Sequence, residues 1–326
     1  MMLRTLAILL AAFAVALSAC GDDGGGSASP AAEPPAARPA DFPTSKGKTL
    51  AQLTAPLQQG AVLAPSSATS QRPGGDNRLG FAIVDTANKQ IDVAEVAVYT
   101  ARADGTQLRG PFVARKESLD VATPYRSAQT TSDLANGKTF YVARPQFVSA
   151  GAQRVVGLVR LDGRLVLADS PMDLKVGAAN GPPEVGDRAI RMHTLTPADV
   201  GGDLRKLSTR VPPPPEMLGT DLADVLGRKP AVLLFATPAL CASRTCGPVV
   251  DIAEQVRAQN GKGVTFIQQE IYKDNDPSKS VRPQVAAWRL TTEPWAFVID
   301  RTGKIAARFE GVFSTGELAR AVARVK

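Results

Sequence analysis

The chain has 326 residues, enough for two ordinary domains. Its formal charge is +7, yet the basic residues are scattered and aromatics make up 5% of the chain, which argues against a nucleic-acid reader. Beyond the N-terminal segment no apolar run approaches the length that spans a bilayer, about 20 residues.

Residues 1–4 carry one positive charge, and residues 6–17 form an unbroken apolar run of twelve. That is short for a bilayer span and fits the h-region of a signal peptide. Leu17-Ser18-Ala19-Cys20 follows. Small residues before a cysteine resemble the lipobox of bacterial lipoproteins. The resemblance implies a signal peptide over residues 1–19, lipid attachment at Cys20, and an extracytoplasmic protein anchored to the membrane. An ordinary cleaved signal with an incidental cysteine is the alternative. Residues 20–49 are mostly Gly, Ala, Pro, Ser and Asp, with Phe42 the one bulky apolar side chain in 21–45. Such a composition buries too little surface to offset its ordering entropy, so a disordered tether is expected.

Residues 50–177 read as a β domain. Segments 79–84, 91–99, 140–143, 155–161 and 164–168 are rich in Val, Ile, Phe and Tyr and are punctuated by turn signals. Asp162-Gly163, between two such segments, is a two-residue hairpin signal. An all-β sandwich of immunoglobulin-like type is expected, with no chemistry of its own. Residues 178–216 read as a linker, because Gly181-Pro182-Pro183 and the run Pro212–Pro215 favour extended backbone. His193, the single histidine, lies there and is expected to be solvated. It lacks the companions a metal site needs, and no metal or cofactor is expected.

From residue 217 helix and strand patterns alternate. Residues 221–227 read as a short helix and 231–236 as a buried strand, an apolar run throughout. Helical spacing marks 249–258, with Val249, Ile252, Ala253 and Val256 on one face. Then come strand 264–271, helix 281–290, strand 295–299, a turn at 300–303, strand 304–309, and a last helix opened by Ser314 with Glu317 as in a capping box. Glu270, Asp274 and Asp276 are read as a solvated acidic loop.

The β-α-β-α-β-β-α order, with cysteines just after the first strand, resembles the thioredoxin fold. Val232 to Pro238 leading into Cys241, Cys246-Gly247-Pro248 opening a helix, and Glu293-Pro294-Trp295 heading a strand carry the match. Val185-Gly186-Asp187-Arg188-Ala189 is similar to the opening segment of such domains. The resemblance covers residues 217–326. It implies a cis bond before Pro294, and a substrate-docking surface at Glu293, Pro294 and Trp295. It also implies a catalytic pair, Cys241 and Cys246, acting on extracytoplasmic protein thiols or disulfides. The expected whole is a two-domain chain, an immunoglobulin-like sandwich followed by an α/β thioredoxin-like domain.

Four residues separate these cysteines, where thioredoxins have two. On one regular helix a spacing of five means a rise of about 7.5 Å, beyond the reach of a disulfide. Cys241 is therefore expected on the loop and Cys246 at the first helical turn. The helix dipole and Arg244 would lower a thiol pKa there. Phe235 stands where many thioredoxins carry a buried carboxylate. Two other readings stay open: a peroxiredoxin-like peroxide reductase, although Pro238 replaces the hydroxyl residue such enzymes carry, and a non-enzymatic lipoprotein whose disulfide staples a loop.

Overall fold

The computed structural model describes residues 37–67, 69–74, 77–92, 95–132, 138–170, 173–177, 181–241, 244–260 and 263–326. The first half contains nine strands: β1 (Gln59–Pro65), β2 (Leu79–Val84), β3 (Val96–Arg102), β4 (Arg109–Val113), β5 (Arg115–Ser118), β6 (Thr139–Ala143), β7 (Gly151–Leu161), β8 (Arg164–Asp169) and β9 (Leu174–Val176). Asp162 and Gly163 both have positive φ, 47° and 77°. That is the backbone a type I′ turn needs, and it sets Leu161 opposite Arg164 in the β7–β8 hairpin.

The strands are hydrogen-bonded in the order β4-β3-β7-β8-β1-β2-β6-β5, with β9 added on β7. Every pairing is antiparallel apart from β1 with β8. This corrects the expected immunoglobulin-like sandwich, because one continuous sheet replaces two stacked ones. The path begins at β4 and ends at β5, and Ala114 alone separates those strands along the chain. The sheet therefore curls until its two edges meet on consecutive residues. Its inner face buries Leu63, Phe81, Ile83, Val98, Tyr141 and Val159 in one cluster.

The opposite face of β3 and β7 presents Tyr99 and Leu158 to Phe42 and to Leu53 of α1 (Leu50–Thr54). The Tyr99 hydroxyl donates to the Pro43 carbonyl at 2.6 Å, and Arg160 donates to the Asp41 carbonyl at 2.9 Å. Residues 37–49 are thus packed on the sheet and are not part of a tether. Phe42 supplies the buried anchor that their average composition conceals.

The second half follows the expected order: α3 (Leu222–Val225), β10 (Ala231–Phe235), α4 (Cys246–Asn260), β11 (Thr265–Gln269), α5 (Pro283–Ala287), β12 (Trp295–Ile299), β13 (Ile305–Glu310) and α6 (Thr315–Ala323); α2 (Ala128–Ser132) belongs to the first half. The sheet order is β11-β10-β12-β13, with β10 and β11 parallel. Alternation serves two cores at once. Val232, Leu234, Ala296 and Val298 face α4 and α6, while Leu233, Phe235, Phe297 and Ile299 face Trp288 and Leu222. At the start of α6 the Ser314 hydroxyl accepts from the Glu317 N–H at 3.1 Å, closing the expected capping box.

The two halves share a core. Leu119, Val121, Phe140 and Val142 cluster with Val249, Val250, Phe309 and Phe313, and the described residues belong to one compact unit. Buried charges reinforce the seam. Arg78 pairs with Glu317 at 2.7 Å, and Glu310 accepts from the N–H groups of Thr69 and Ser70. The segment expected as a Pro-rich linker is fastened along its length. Gly186 and Ala189 donate to the Ile305 and Gly303 carbonyls, Thr194 bonds Asp221, and Arg210 pairs with Asp251 at 2.8 Å. Among the described residues no helix is long and apolar enough to cross a membrane.

Candidate functional site

β10 delivers the chain to Thr237, and the 237–240 stretch turns at once, with Leu240 N–H donating to the Thr237 carbonyl at 3.2 Å. A second turn follows: Arg244, at φ 57°, donates its N–H to the Cys241 carbonyl at 3.1 Å. Cys241 ends on the loop and Cys246 on the first residue of α4, as the spacing requires. Pro248 falls in the first helical turn, where no N–H is needed for the ladder. No disulfide joins the two cysteines, and they act on each other electrostatically, Cys241 raising the pKa of Cys246.

The surroundings of the two sulfurs differ. Cys241 is 9% exposed and lines a cavity, whereas Cys246 is fully buried. Burial pushes the Cys246 thiol well above its ordinary pKa. The adjacent Cys241 sulfur raises it further, the Thr237 backbone N–H opposes, and Glu293 adds to the rise. For Cys246 desolvation wins, because its sulfur sits beneath packed side chains. Arg244 is exposed and lines the same cavity as Cys241.

The expected docking surface is mostly closed. The Glu293–Pro294 bond is cis. Pro294 is buried, however, and its carbonyl accepts from the Gly311 N–H at 2.8 Å. Trp295 is fully buried: it stacks on Phe297 with centroids 5.6 Å apart and donates its indole N–H to Thr292. Arg308 covers it from 6.0 Å and bonds the Ser70 carbonyl. The first half packs on the residues that make this closure, Arg308, Glu310 and Gly311. Its Ser66 backbone lies so close to Gly311 that a Cβ there would come within 2.0 Å of the Ser66 carbonyl oxygen. Gly311 also has a φ of +72°, so glycine alone meets both demands.

Glu293 is half-buried and sits with the thiols. Burial raises its pKa most, then Cys241, then Glu270. Glu270 corrects another expectation, that of a solvated acidic loop. Asp274 and Asp276 are outside on the loop, with Asp274 paired to Lys279 at 2.9 Å, but Glu270 is fully buried one residue after β11. Its Oε1 accepts from both the N–H and the hydroxyl of Thr209, each at 2.6 Å, and burial raises its pKa. The Thr237 hydroxyl is near enough to favour the charged form, yet it completes no well-formed hydrogen bond. So the carboxyl groups at this site come from the end of β11 and the approach to β12, while Phe235 packs against Trp288 at 5.8 Å. Tyr272 joins them: burial raises its pKa, followed by Glu293 and the two cysteines.

The cavity over Cys241 has a volume of about 420 Å³. One side is Cys241, Arg244 and Pro248, and the other is Val121, Arg126 and Thr130 of the first half. Sequence reading assigned no chemistry to that half and missed this wall, as well as Glu270 and Tyr272. No local signal marks Glu270, which follows Gln268 and Gln269 in the chain. Cys20 lies outside the described residues. His193 is half-exposed but not merely solvated, since its ring nitrogens contact Asp221 at 2.7 Å and Asp199 at 3.0 Å. The Asp221 contact is the main cause of its raised pKa. Among the described residues no three His, Cys, Asp or Glu side chains group to hold a metal.

No known protein family matches the chain, and no curated protein does. Similar solved structures include a thioredoxin-family thiol:disulfide interchange protein from Chlorobium tepidum TLS. It is 16% identical with a TM-score of 0.29, over 46% of this chain and 99% of that one. Another is a thioredoxin-like superfamily protein, 18% identical with a TM-score of 0.26, over 32% of this chain and 84% of that one. The thioredoxin-like character of residues 217–326 stands on their own strand order, helix placement and position of Cys241.

Proposed function

We propose that the chain is an extracytoplasmic thiol–disulfide oxidoreductase, anchored to a membrane by lipid on Cys20. The observation that carries the activity is a pair of electrostatically coupled thiols not joined by a disulfide, one lining a cavity and the other fully buried. In this reading the Cys241 thiolate attacks one sulfur of a substrate disulfide. That S–S bond breaks, a mixed disulfide forms on Cys241, and the departing thiolate takes a proton. Cys246 then gives up its proton and attacks the Cys241 sulfur, which expels the second substrate thiol. Two electrons pass from the protein dithiol to the substrate, and no cofactor is needed. The reverse sequence oxidises two thiols, and the pair's reduction potential sets the direction.

In the same reading Glu293, half-buried with a raised pKa and coupled electrostatically to both cysteines, serves as the proton carrier. The test is mass-spectrometric thiol labelling across a series of redox buffers, together with a Cys246→Ser variant. A single two-electron transition and trapped mixed disulfides on Cys241 are expected. A Cys241–Cys246 disulfide that resists mild reductants would instead favour a structural staple, the reading suggested by how little of either sulfur is exposed. Anchoring is tested separately, by incorporation of labelled palmitate that Cys20→Ser abolishes.

A further inference from the structure

We infer that the Cys241 site takes a small, negatively charged disulfide or thiol through the cavity between the two halves, and not the surface of a folded protein; this rests on the oxidoreductase reading above. Three observations lead there.

The strand edge that a docking polypeptide would use is already occupied. Pro294 is buried with its carbonyl bonded to Gly311, Trp295 is fully buried, and Ser66, Thr69 and Ser70 of the first half lie against Gly311 and Glu310. Among the described residues Cys241 opens onto the cavity, and about 420 Å³ is the size of a small-molecule site.

The outer wall of that cavity is fixed in place. Ser127 donates from both its N–H and its hydroxyl to Asp251 of α4, at 2.9 and 3.0 Å. Arg210 bonds the other Asp251 oxygen at 2.8 Å and the Tyr125 carbonyl at 2.8 Å. Leu119 and Val121 beside it belong to the shared core. Swinging the wall aside for a protein partner would uncover a buried ion pair and apolar side chains together.

The lining favours negative charge. Arg126, Lys138 and Arg244 are at the cavity with a single carboxylate, Asp120, which Lys138 approaches to 3.5 Å. Gln129, Thr130 and Thr131 add polar groups suited to a hydrophilic ligand. Glu293, the carboxyl group nearest the thiols in its electrostatic effect, does not line the cavity, and its raised pKa favours the neutral form. In a partly enclosed site such an imbalance selects by charge.

The experiment uses the reduced full chain and three oxidants: oxidised glutathione, which is anionic, cystamine, which is cationic, and insulin as a protein disulfide. Each second-order rate is divided by that of dithiothreitol with the same oxidant, which removes intrinsic reactivity. Oxidised glutathione is expected to exceed cystamine by about tenfold or more on this scale, with insulin slowest. Arg126→Gln and Arg244→Gln, made separately, should each pull the glutathione-to-cystamine ratio toward one. A wild-type ratio near one, a ratio indifferent to both substitutions, or insulin reacting as fast as glutathione would overturn the inference while leaving an oxidoreductase. Reaction with none of the three overturns both.

Discussion

Cys241 and Cys246 carry the same side chain in unlike surroundings, and the difference is desolvation. A thiol buried as Cys246 is held in its neutral form. Iodoacetamide at neutral pH should therefore label Cys241 at least about tenfold faster than Cys246 in the native protein, with equal labelling in denaturant. Peptide mapping reads the ratio, and preferential labelling of Cys246 would contradict the geometry. Glu270 offers a second test. Its pKa is raised by burial, so the protonated carboxyl is the form that suits the fold. The stability it lends is complete below the ordinary glutamate pKa, near 4.5, and disappears as pH climbs through the raised value. Urea unfolding of Glu270→Gln should lack that decline, so the variant gains on the parent as pH increases from 4.5 upward. A constant difference between the two across pH would show that Glu270 is not titrating there. Neither behaviour is legible in the residue itself. Glu270 reads like Asp274 and Asp276 along the chain, and only the strand that carries it inward tells them apart.

Among the elements, α4 does two jobs. Its first residue is a site cysteine, and Asp251 in its second turn ties down both the 125–132 stretch and the 208–212 stretch. Asp251→Ala leaves the Arg210 guanidinium, 6% exposed, buried without its carboxylate. A loss of about 3–5 kcal/mol is expected from denaturant unfolding, the usual result of breaking a buried pair from one side. A loss under about 1 kcal/mol would mean the pair behaves as a surface contact. The elements of the second half were readable because each carries a local signal. An apolar run marks β10, helical spacing marks α4, and the Ser314–Glu317 box marks α6. β1, β4, β5 and β9 were missed: the last three are short, and β1, Gln59–Pro65, has a single β-branched residue, Val62. The segment from 178 to 216 was read as a linker because of Gly181-Pro182-Pro183 and the run Pro212–Pro215. Its packing comes instead from single residues, Thr194, Thr209 and Arg210, each bonded to a partner far along the chain.

At the scale of the molecule, the shared core makes the two halves one cooperative body. Calorimetry should show a single unfolding transition with calorimetric and van't Hoff enthalpies equal. Two resolved transitions would mean the cluster joining Leu119, Val121 and Phe140 to α4 contributes little. The amino-acid order by itself determined the local features: the apolar strands, the helix caps, the Asp162-Gly163 turn, and the placing of two cysteines on a loop and a helix start. These depend on neighbours within a few residues, where spacing and backbone preference act directly. The tertiary structure alone decided that the β half forms one curled sheet, that it packs on Glu310 and Gly311, that it walls the space over Cys241, and that Glu270 joins the site. Those outcomes hang on contacts between residues far apart in the chain, such as Thr69 with Glu310, 241 positions away. The side chains that make such contacts have no periodicity to announce them, and their free energy exists only once the distant surfaces have met.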